Sequence, residues 1–288
     1  DSLLEPLKRD LEQSRLPADH DLQGRDGLRH LGLRIGHHTG EVLITLISSR
    51  DDLPGLQTLA TNWLNRWPNV RGVTLNLQPK RSNLILGTQT RVLSGSPCIE
   101  ERFCGLSLSL STTTFFQVNT PQAERIVGLI RDWVSDELES GCLVDAYCGI
   151  GTISLPLAAA GYDLVGVEQN PDSIDQARQN ARNNGLQDRC RFIAGDVADH
   201  LGQELSGCDA LVLDPPRRGL EERVIEAILG CPPPLLAYLS CDAATQARDL
   251  RRLVGSSGCY RLERLQPIDF FPQTSHLESL ALLKRISS

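Results

Sequence analysis

The alternation of short apolar segments with helical segments after Thr120 constrains the fold of this chain most strongly. Strands that are joined by crossover helices form a parallel sheet with helices on both faces, so this part predicts a doubly wound α/β domain. No helix is predicted before the last strand, and we therefore expect an antiparallel hairpin at the sheet edge. The predicted strands are 142–147, 163–168, 190–194, 208–213, 235–240, 259–265 and 277–285, and the predicted helices are 120–137, 152–160, 171–184, 197–204, 220–229 and 242–254.

The first part of the chain has a different pattern, which predicts a small α+β domain at 1–110 before the α/β domain at 111–288. Two runs that are apolar or alternating flank the polar turn His37-His38-Thr39-Gly40, as is typical of a hairpin. The predicted elements are strands at 28–35, 41–48 and 70–77, a helix at 56–67, and short strands around Leu84, Val92 and Leu106.

Composition excludes several classes of protein. With 40% hydrophobic and 23% charged residues in 288, the chain has the balance of a globular protein rather than a disordered one. No stretch is apolar enough for a membrane span and no secretory leader is visible, so we expect a cytoplasmic protein. Nine cysteines without a C-x-x-C pair, and histidines without zinc spacing, predict no structural metal.

The net charge and the start of the chain say less about the class of protein. The net charge of −7 divides into +1 for residues 1–110 (13 basic, 12 acidic) and −8 for residues 111–288 (16 basic, 24 acidic). This total does not exclude RNA, because binding depends on a local basic surface. The chain contains no methionine and begins with Asp1, which predicts a processed product or a fragment.

Three strand ends predict an adenosyl site. The strand at 142–147 runs into a turn with Gly149 and Gly151 and then a helix, whose first N–H groups are free. Glu168 ends the next strand, where a carboxylate accepts ribose hydroxyls, and Asp196 follows the third strand, where an adenine edge would lie. A third glycine and a Gly-Lys-Ser/Thr sequence are missing, which favours S-adenosylmethionine over nucleotides with a pyrophosphate. The alternative is that these carboxylates only cap strand ends.

Two further strand ends carry reactive groups. Asp214-Pro-Pro is expected to form a stiff turn that projects Asp214 over the crevice. Taken without the other motifs, this tripeptide resembles the loop of amino-methyltransferases, or it only ends a strand. Cys241 precedes a helix, whose N-terminal dipole lowers the pKa of a thiol. His276 and Glu278 lie two residues apart on a predicted strand, so we expect both on one side, as a candidate base or as a solvated pair.

Together these motifs resemble those of the RNA uracil-5-methyltransferases, which make 5-methyluridine in tRNA and ribosomal RNA. The resemblance implies a Rossmann-like class I methyltransferase domain and methylation of C5 of a uridine in structured RNA, with 23S rRNA favoured over tRNA. It also implies S-adenosylmethionine as the cofactor and no iron–sulfur cluster or other metal in this chain. The shared motifs are Phe116-Gln117-Val118-Asn119, 145–152, Asp214-Pro-Pro-Arg, Ser240-Cys241 and His276-Leu-Glu278.

The resemblance also implies roles for individual residues. Cys241 would add to C6 of uracil as the nucleophile, and Glu278 would remove the C5 proton. Arg217 and Arg218 are candidates for phosphate contacts, as Gln117 and Asp214 are for the uracil edge. The implied cofactor contacts are Gln117, Tyr147, Thr152, Glu168, Asp196 and Asp214.

One departure from the family concerns the nucleophile. The family's Ser-Cys-Asn-Pro is Ser240-Cys241-Asp242-Ala243 here, so we expect Asp242 to raise the pKa of the thiol and the helix start to be looser.

We expect a monomer that binds structured RNA and no membrane. Three alternatives stay open: an RNA cytosine-5-methyltransferase, which would have a second cysteine near the Asp-Pro-Pro loop, an amino-methyltransferase, which needs no nucleophile, and a non-catalytic RNA-binding remnant.

Overall fold

The computed structural model describes residues 3–19, 27–80, 83–255 and 258–286. They form two compact units, one made of residues up to 102 together with 108–113, and the other of 103–107 together with 114 onward. Within the described ranges, no helix has the length and apolarity that a membrane crossing requires.

The first unit contains a four-stranded sheet in the order β1-β2-β3-β4. β1 and β2 pair as the predicted antiparallel hairpin, β2 and β3 are parallel, and β3 and β4 are antiparallel. Trp63 and the inner face of the sheet form the core of this unit. Its elements are α1 (Leu4–Ser14), β1 (Leu28–Ile35), β2 (Val42–Ser48), α2 (Leu56–Arg66), β3 (Val70–Leu77) and β4 (Gln89–Gly95), and a separate two-stranded sheet pairs β5 (Cys98–Phe103) with β6 (Leu106–Ser111).

The strand expected around Leu84 is wrong. Residues 83–88 form a loop, and the carbonyl groups of Leu84 and Leu86 accept hydrogen bonds from the side-chain amide of Gln78 at 3.0 and 3.1 Å. A buried glutamine therefore satisfies the backbone that a neighbouring strand would otherwise pair. Helix α1 and strand β5 were not predicted.

The second unit confirms the doubly wound α/β fold. Its seven strands have the order β12-β13-β11-β10-β7-β8-β9, and only the pairs that involve β13 are antiparallel, which is the predicted edge hairpin. The strands are β7 (Cys142–Ala146), β8 (Asp163–Glu168), β9 (Cys190–Ala194), β10 (Ala210–Leu213), β11 (Leu235–Ser240), β12 (Tyr260–Ile268) and β13 (Glu278–Arg285). The helices are α3 (Thr120–Glu137), α4 (Ser154–Ala159), α5 (Pro171–Asn183), α6 (Val197–Glu204), α7 (Glu222–Gly230) and α8 (Ala243–Val254).

Local chemistry explains the helix starts that border the site. The side chain of Asn119 accepts a hydrogen bond from the backbone N–H of Gln122 and Pro121 follows it, so α3 begins where the sequence predicts. The central strands are apolar and fully buried, as a sheet covered by helices on both faces requires. The polar residues of this unit are thereby concentrated beyond the strand ends.

Candidate active site at the carboxyl edge of the sheet

The register of the parallel strands brings several polar side chains to one edge. Ala146 of β7 pairs with Val167 of β8 on one side and with Leu213 of β10 on the other. The residues that follow these three are Tyr147, Glu168 and Asp214, so they leave the sheet at the same level. Ligands of open α/β sheets bind at this carboxyl edge.

The turn after β7 has the backbone of a ligand-binding loop. Tyr147, Gly149 and Gly151 all have positive φ angles, of 70°, 55° and 88°. A Cβ atom on Gly151 would lie 3.0 Å from Cγ of Leu155, so a side chain at this position would press against Leu155. A Cβ atom on Gly149 would meet nothing within 4 Å, which leaves its backbone open to a ligand.

A cavity beside this turn collects four of the six predicted cofactor residues. Gln117, Tyr147, Thr152 and Asp214 line it, and Phe115, Ile126, Leu239 and Phe270 supply apolar walls. Burial, the largest cause, raises the pKa of the Tyr147 phenol. The cavity thus combines apolar surface with a few polar groups, which is the usual composition of a small-molecule site.

The other two predicted cofactor residues lie outside the cavity lining. Glu168 accepts hydrogen bonds from the backbone N–H groups of Gly149 at 3.3 Å and Asn170 at 2.8 Å. Asp196 caps α6 by accepting from the N–H of Ala198 at 2.9 Å. The structure therefore gives both carboxylates a backbone partner at the strand ends where the sequence predicts them.

Asp145 is a cavity residue whose role the sequence did not predict. Its side chain is buried, and one oxygen, Oδ2, accepts from the hydroxyl of Ser154 at 2.5 Å. The other oxygen, Oδ1, has no hydrogen-bond partner among the described residues. Burial raises the pKa of Asp145 to about 7, the bond from Ser154 opposes this rise, and the charge of Glu168 adds to it. Only its position before the glycine turn could have indicated that it lines the cavity.

The register of the antiparallel pair brings the predicted nucleophile and base together. β11 and β13 pair as far as Ser240 opposite Ser279, and Cys241 and Glu278 are the residues that adjoin this last pair. The charge of Glu278 acts on the Cys241 thiol, so the two side chains lie near each other. Glu278 is 7% exposed and Cys241 is half-buried.

The charges around Cys241 oppose one another. Burial, followed by the charge of Glu278, raises the pKa of the thiol, and Asp214 adds a smaller rise. The guanidinium of Arg217 lowers it through its charge and a hydrogen bond. The pKa of this thiol is therefore raised overall, contrary to the lowered value that the sequence predicts, because burial and the charge of Glu278 outweigh Arg217.

Arg217 also affects the pKa of Glu278, the predicted general base. Burial raises the pKa of Glu278, and the charge of Arg217 opposes that rise. The Arg217 carbonyl accepts a hydrogen bond from the hydroxyl of Thr245 at 3.2 Å, which fixes this loop to the first turn of α8. Arg218, by contrast, is exposed and forms an ion pair with Glu221 at 2.7 Å. Of the two arginines predicted to contact phosphate, one thus faces the thiol and carboxyl pair.

Three local expectations at this edge are wrong. Asp242 is the N-cap of α8, and its side chain accepts from the N–H of Thr245 at 2.9 Å, so the helix start is capped and not loosened. Asp242 is also absent from the groups that shift the pKa of Cys241. His276 is exposed whereas Glu278 is buried, because β13 begins only at Glu278 and strand alternation does not extend to His276.

The described residues contain no group of three or more His, Cys, Asp or Glu side chains that is arranged to hold a metal ion.

Comparison with known proteins decides the family. The family model for tRNA (uracil-5-)-methyltransferase matches residues 106–286. The chain belongs to this family. Its second unit accordingly has the Rossmann-like fold of class I methyltransferases.

Similar proteins extend this assignment. An uncharacterized RNA methyltransferase of Parasynechococcus marenigrum is 68% identical over 100% of this chain and 62% of its own length. One from Thermosynechococcus vestitus is 44% identical over 98% of this chain and 63% of its own length. The crystal structure of Pyrococcus abyssi tRNA (uracil-54, C5)-methyltransferase in complex with S-adenosyl-L-homocysteine is 27% identical, with a TM-score of 0.79 over 97% of this chain and 65% of that chain. The chain thus spans about three fifths of the length of the curated relatives that it matches.

Proposed function

We propose that this protein transfers a methyl group from S-adenosylmethionine to C5 of a uridine in structured RNA, through a covalent bond between Cys241 and C6. The observation that carries the proposal is the strand register that brings Cys241 and Glu278 to the end of the β11–β13 pair, where Glu278 acts on the thiol, beside a cavity lined by Asp145 and Asp214. Family membership and the name of the solved relative, which includes uracil C5 and S-adenosyl-L-homocysteine, support it.

The polar groups in and near the cavity suit the cofactor in charge and hydrogen-bonding capacity. S-adenosylmethionine has an ammonium and a sulfonium group, and when bound it supplies an electrophilic methyl group. Asp145 has a buried oxygen without a partner, which suits a cationic donor, and the backbone of Gly149 is open to close approach. Glu168 and Asp196 each accept backbone hydrogen bonds, but a carboxylate has about four acceptor positions, which leaves capacity for ribose hydroxyls or an adenine edge.

Cys241 and Glu278 act at different steps of the reaction on the uracil ring. Uracil C5 is a weak nucleophile, and a bond from the Cys241 sulfur to C6 pushes an electron pair through C5 and C4 onto the carbonyl oxygen as an enolate. C5 then takes the methyl group, and Glu278 removes the C5 proton. The electron pair of that C–H bond re-forms the C5–C6 double bond as the bond between C6 and sulfur breaks, which returns Cys241 as a thiolate.

Arg217 has a different role in this proposal from the phosphate contact that the sequence predicts. Its guanidinium donates to the Cys241 sulfur and opposes the rise in the pKa of Glu278, so it stabilises the ionised forms of both groups. An arginine suits this task because it stays charged at every working pH. Arg218 keeps the predicted phosphate contact, and Gln117 and Asp214, which line the cavity, keep the predicted contacts with cofactor or uracil.

The Cys241→Ala variant tests the proposal. The full-length protein should methylate RNA with tritiated S-adenosylmethionine, and Cys241→Ala should abolish incorporation. Cys231 is an exposed cysteine before β11 and provides the control, since Cys231→Ala should keep full activity. Retained turnover in Cys241→Ala would indicate an amino-methyltransferase, and 5-methylcytidine in the digested product would indicate the cytosine enzyme. No heat on titration with S-adenosylmethionine would indicate a non-catalytic remnant.

The RNA class is a separate part of the proposal. The resemblance favours 23S rRNA, whereas the solved relative is named for uracil-54 of tRNA. Mass spectrometry of 5-methyluridine in rRNA and tRNA from cells that lack the protein separates the two. We expect the loss of one 5-methyluridine from 23S rRNA, and its loss from tRNA alone would contradict this choice.

A further inference from the structure

The buried face of α8 includes a polar side chain whose role is not explained by packing. The buried residues of this helix are Gln246, Asp249 and Leu253, which have the spacing of a single helix face against a core. Gln246 is 2% exposed. Because a buried amide lowers stability unless it is hydrogen-bonded, the partners of Gln246 show what this side chain does.

The side-chain amide of Gln246 bridges the two strands that carry the proposed nucleophile and base. Its Nε2 donates to the carbonyl oxygen of Tyr238 in β11 and to that of Ser279 in β13, both at 2.9 Å. An NH2 group has two hydrogens, so one glutamine can satisfy both carbonyl groups. Ser279 directly follows Glu278, and Tyr238 belongs to the strand that leads to Cys241.

The backbone of Gln246 is tied to the residue after the nucleophile. Its N–H donates to the carbonyl oxygen of Asp242 at 3.0 Å, and the side chain of Asp242 caps the same helix turn by accepting from the N–H of Thr245. The backbone of Gln246 is thus held next to Cys241, and its side chain is held next to Glu278. A single residue therefore connects the two ends of the proposed catalytic pair.

The start of β13 has a weak point that this glutamine covers. Ser240 and Ser279 are the last pair of β11 and β13, so the pairing of these two strands ends directly before Glu278. On its other side, Ser279 pairs with Pro267 of β12. Proline has no N–H group, so β12 offers no backbone donor at this position. The amide of Gln246 supplies a donor to Ser279 instead.

We propose that Gln246 is a positioning residue, which fixes the separation between the sulfur of Cys241 and the carboxyl group of Glu278. This inference rests on the proposed function. While the uracil ring is bonded to Cys241, the geometry of the protein sets how close its C5 proton lies to Glu278. Such steps are sensitive to distance, since a misplacement of about 1 Å can cost about a hundredfold in rate. Bonding to C6 needs the thiol, whereas release of the product needs both groups at a fixed separation.

The Gln246→Met variant of the full-length protein tests this inference. Methionine has a similar length but no hydrogen to donate, and the donors that it removes serve the backbone, so the proposed ligand contacts stay in place. We expect kcat to fall roughly tenfold or more, with KM for RNA and for S-adenosylmethionine unchanged. Because release is slowed most, mass spectrometry of protein denatured during turnover should find methylated uridine attached to Cys241. Gln246→Leu, which also lacks donors, replaces this variant if methionine impairs folding.

A second variant of the same helix separates positioning from stability. Leu253 lies later on the buried face of α8, and Leu253→Val should lower the urea midpoint without changing kcat or producing an adduct. An unchanged kcat in Gln246→Met, a fall without an adduct, or the same fall in Leu253→Val would overturn the inference. Retained turnover in Cys241→Ala would instead refute the proposed function, and this inference with it.

Discussion

Replacement of Asp145 by asparagine should make the empty protein more stable at neutral and alkaline pH. The pKa of Asp145 is raised from 3.8 to about 7, chiefly by burial. For an acid with a raised pKa, the unfolded state releases its proton first, so stability is fully present below the unfolded value and falls as the pH rises through the folded value. The total fall for this one carboxyl group is about 4 kcal/mol, at about 1.36 kcal/mol for each pH step.

The asparagine variant does not titrate, and therefore lacks this fall. Its amide oxygen can still accept the hydrogen bond from Ser154, but its NH2 group takes the place of Oδ1, which has no partner, at a cost of about 1–3 kcal/mol. We expect the variant to be less stable than the unmodified protein near about pH 4 and more stable by about 1–3 kcal/mol near about pH 8.

Urea unfolding of the empty protein at both pH values, followed by circular dichroism, measures this difference. A parallel titration with S-adenosylmethionine should show weaker binding by the same variant, because it lacks the carboxylate oxygen that we propose for the cationic donor. If the midpoints of the two proteins differ by the same amount at both pH values, then Asp145 does not carry the titration and the reasoning is refuted.

Three further changes test separate parts of the site. Arg217→Ala should raise the pKa of Cys241 and slow its alkylation by iodoacetamide near about pH 7.5, as measured by peptide mass spectrometry, and an unchanged rate would contradict the role of the guanidinium. Asp242→Ala removes the N-cap of α8 and should lower the free energy of unfolding by about 1 kcal/mol, visible as a lower urea midpoint; no shift would contradict the cap. Gly151→Ala should destabilise the protein more than Gly149→Ala, since both have positive φ but only at Gly151 would the new methyl group press against a neighbour, Leu155; equal urea midpoints would count against this contact.

The sequence was sufficient for the α/β unit because its strands are buried on both faces and therefore apolar throughout. It also placed Tyr147, Glu168, Asp214 and Cys241 at one edge, since parallel strands present their carboxyl ends together. Glu278 required the antiparallel edge hairpin as well, which followed from the missing helix before the last strand.

Properties that depend on distant neighbours could not be predicted. The pKa of Cys241 depends on Glu278 and Arg217, which are 37 and 24 positions away in the chain. Asp242 carries a charge next to the thiol in sequence, yet its side chain turns to the N–H of Thr245 instead. The loop near Leu84 has the composition of a strand, but side chains of β3 and the residue after it satisfy its backbone. Such contacts are set by tertiary structure, which local patterns do not encode.

The central claim is that Cys241 bonds to the uracil ring and that Glu278 is needed to release it. The most direct measurement is mass spectrometry of protease and nuclease digests after Glu278→Gln protein is incubated with RNA and S-adenosylmethionine and then denatured. We predict a methylated uridine nucleotide attached to the peptide that contains Cys241, and no such attachment in the Cys241→Ala, Glu278→Gln double variant. A nucleotide on another cysteine, or no adduct in a variant that has lost turnover but still binds RNA and cofactor, would contradict the account.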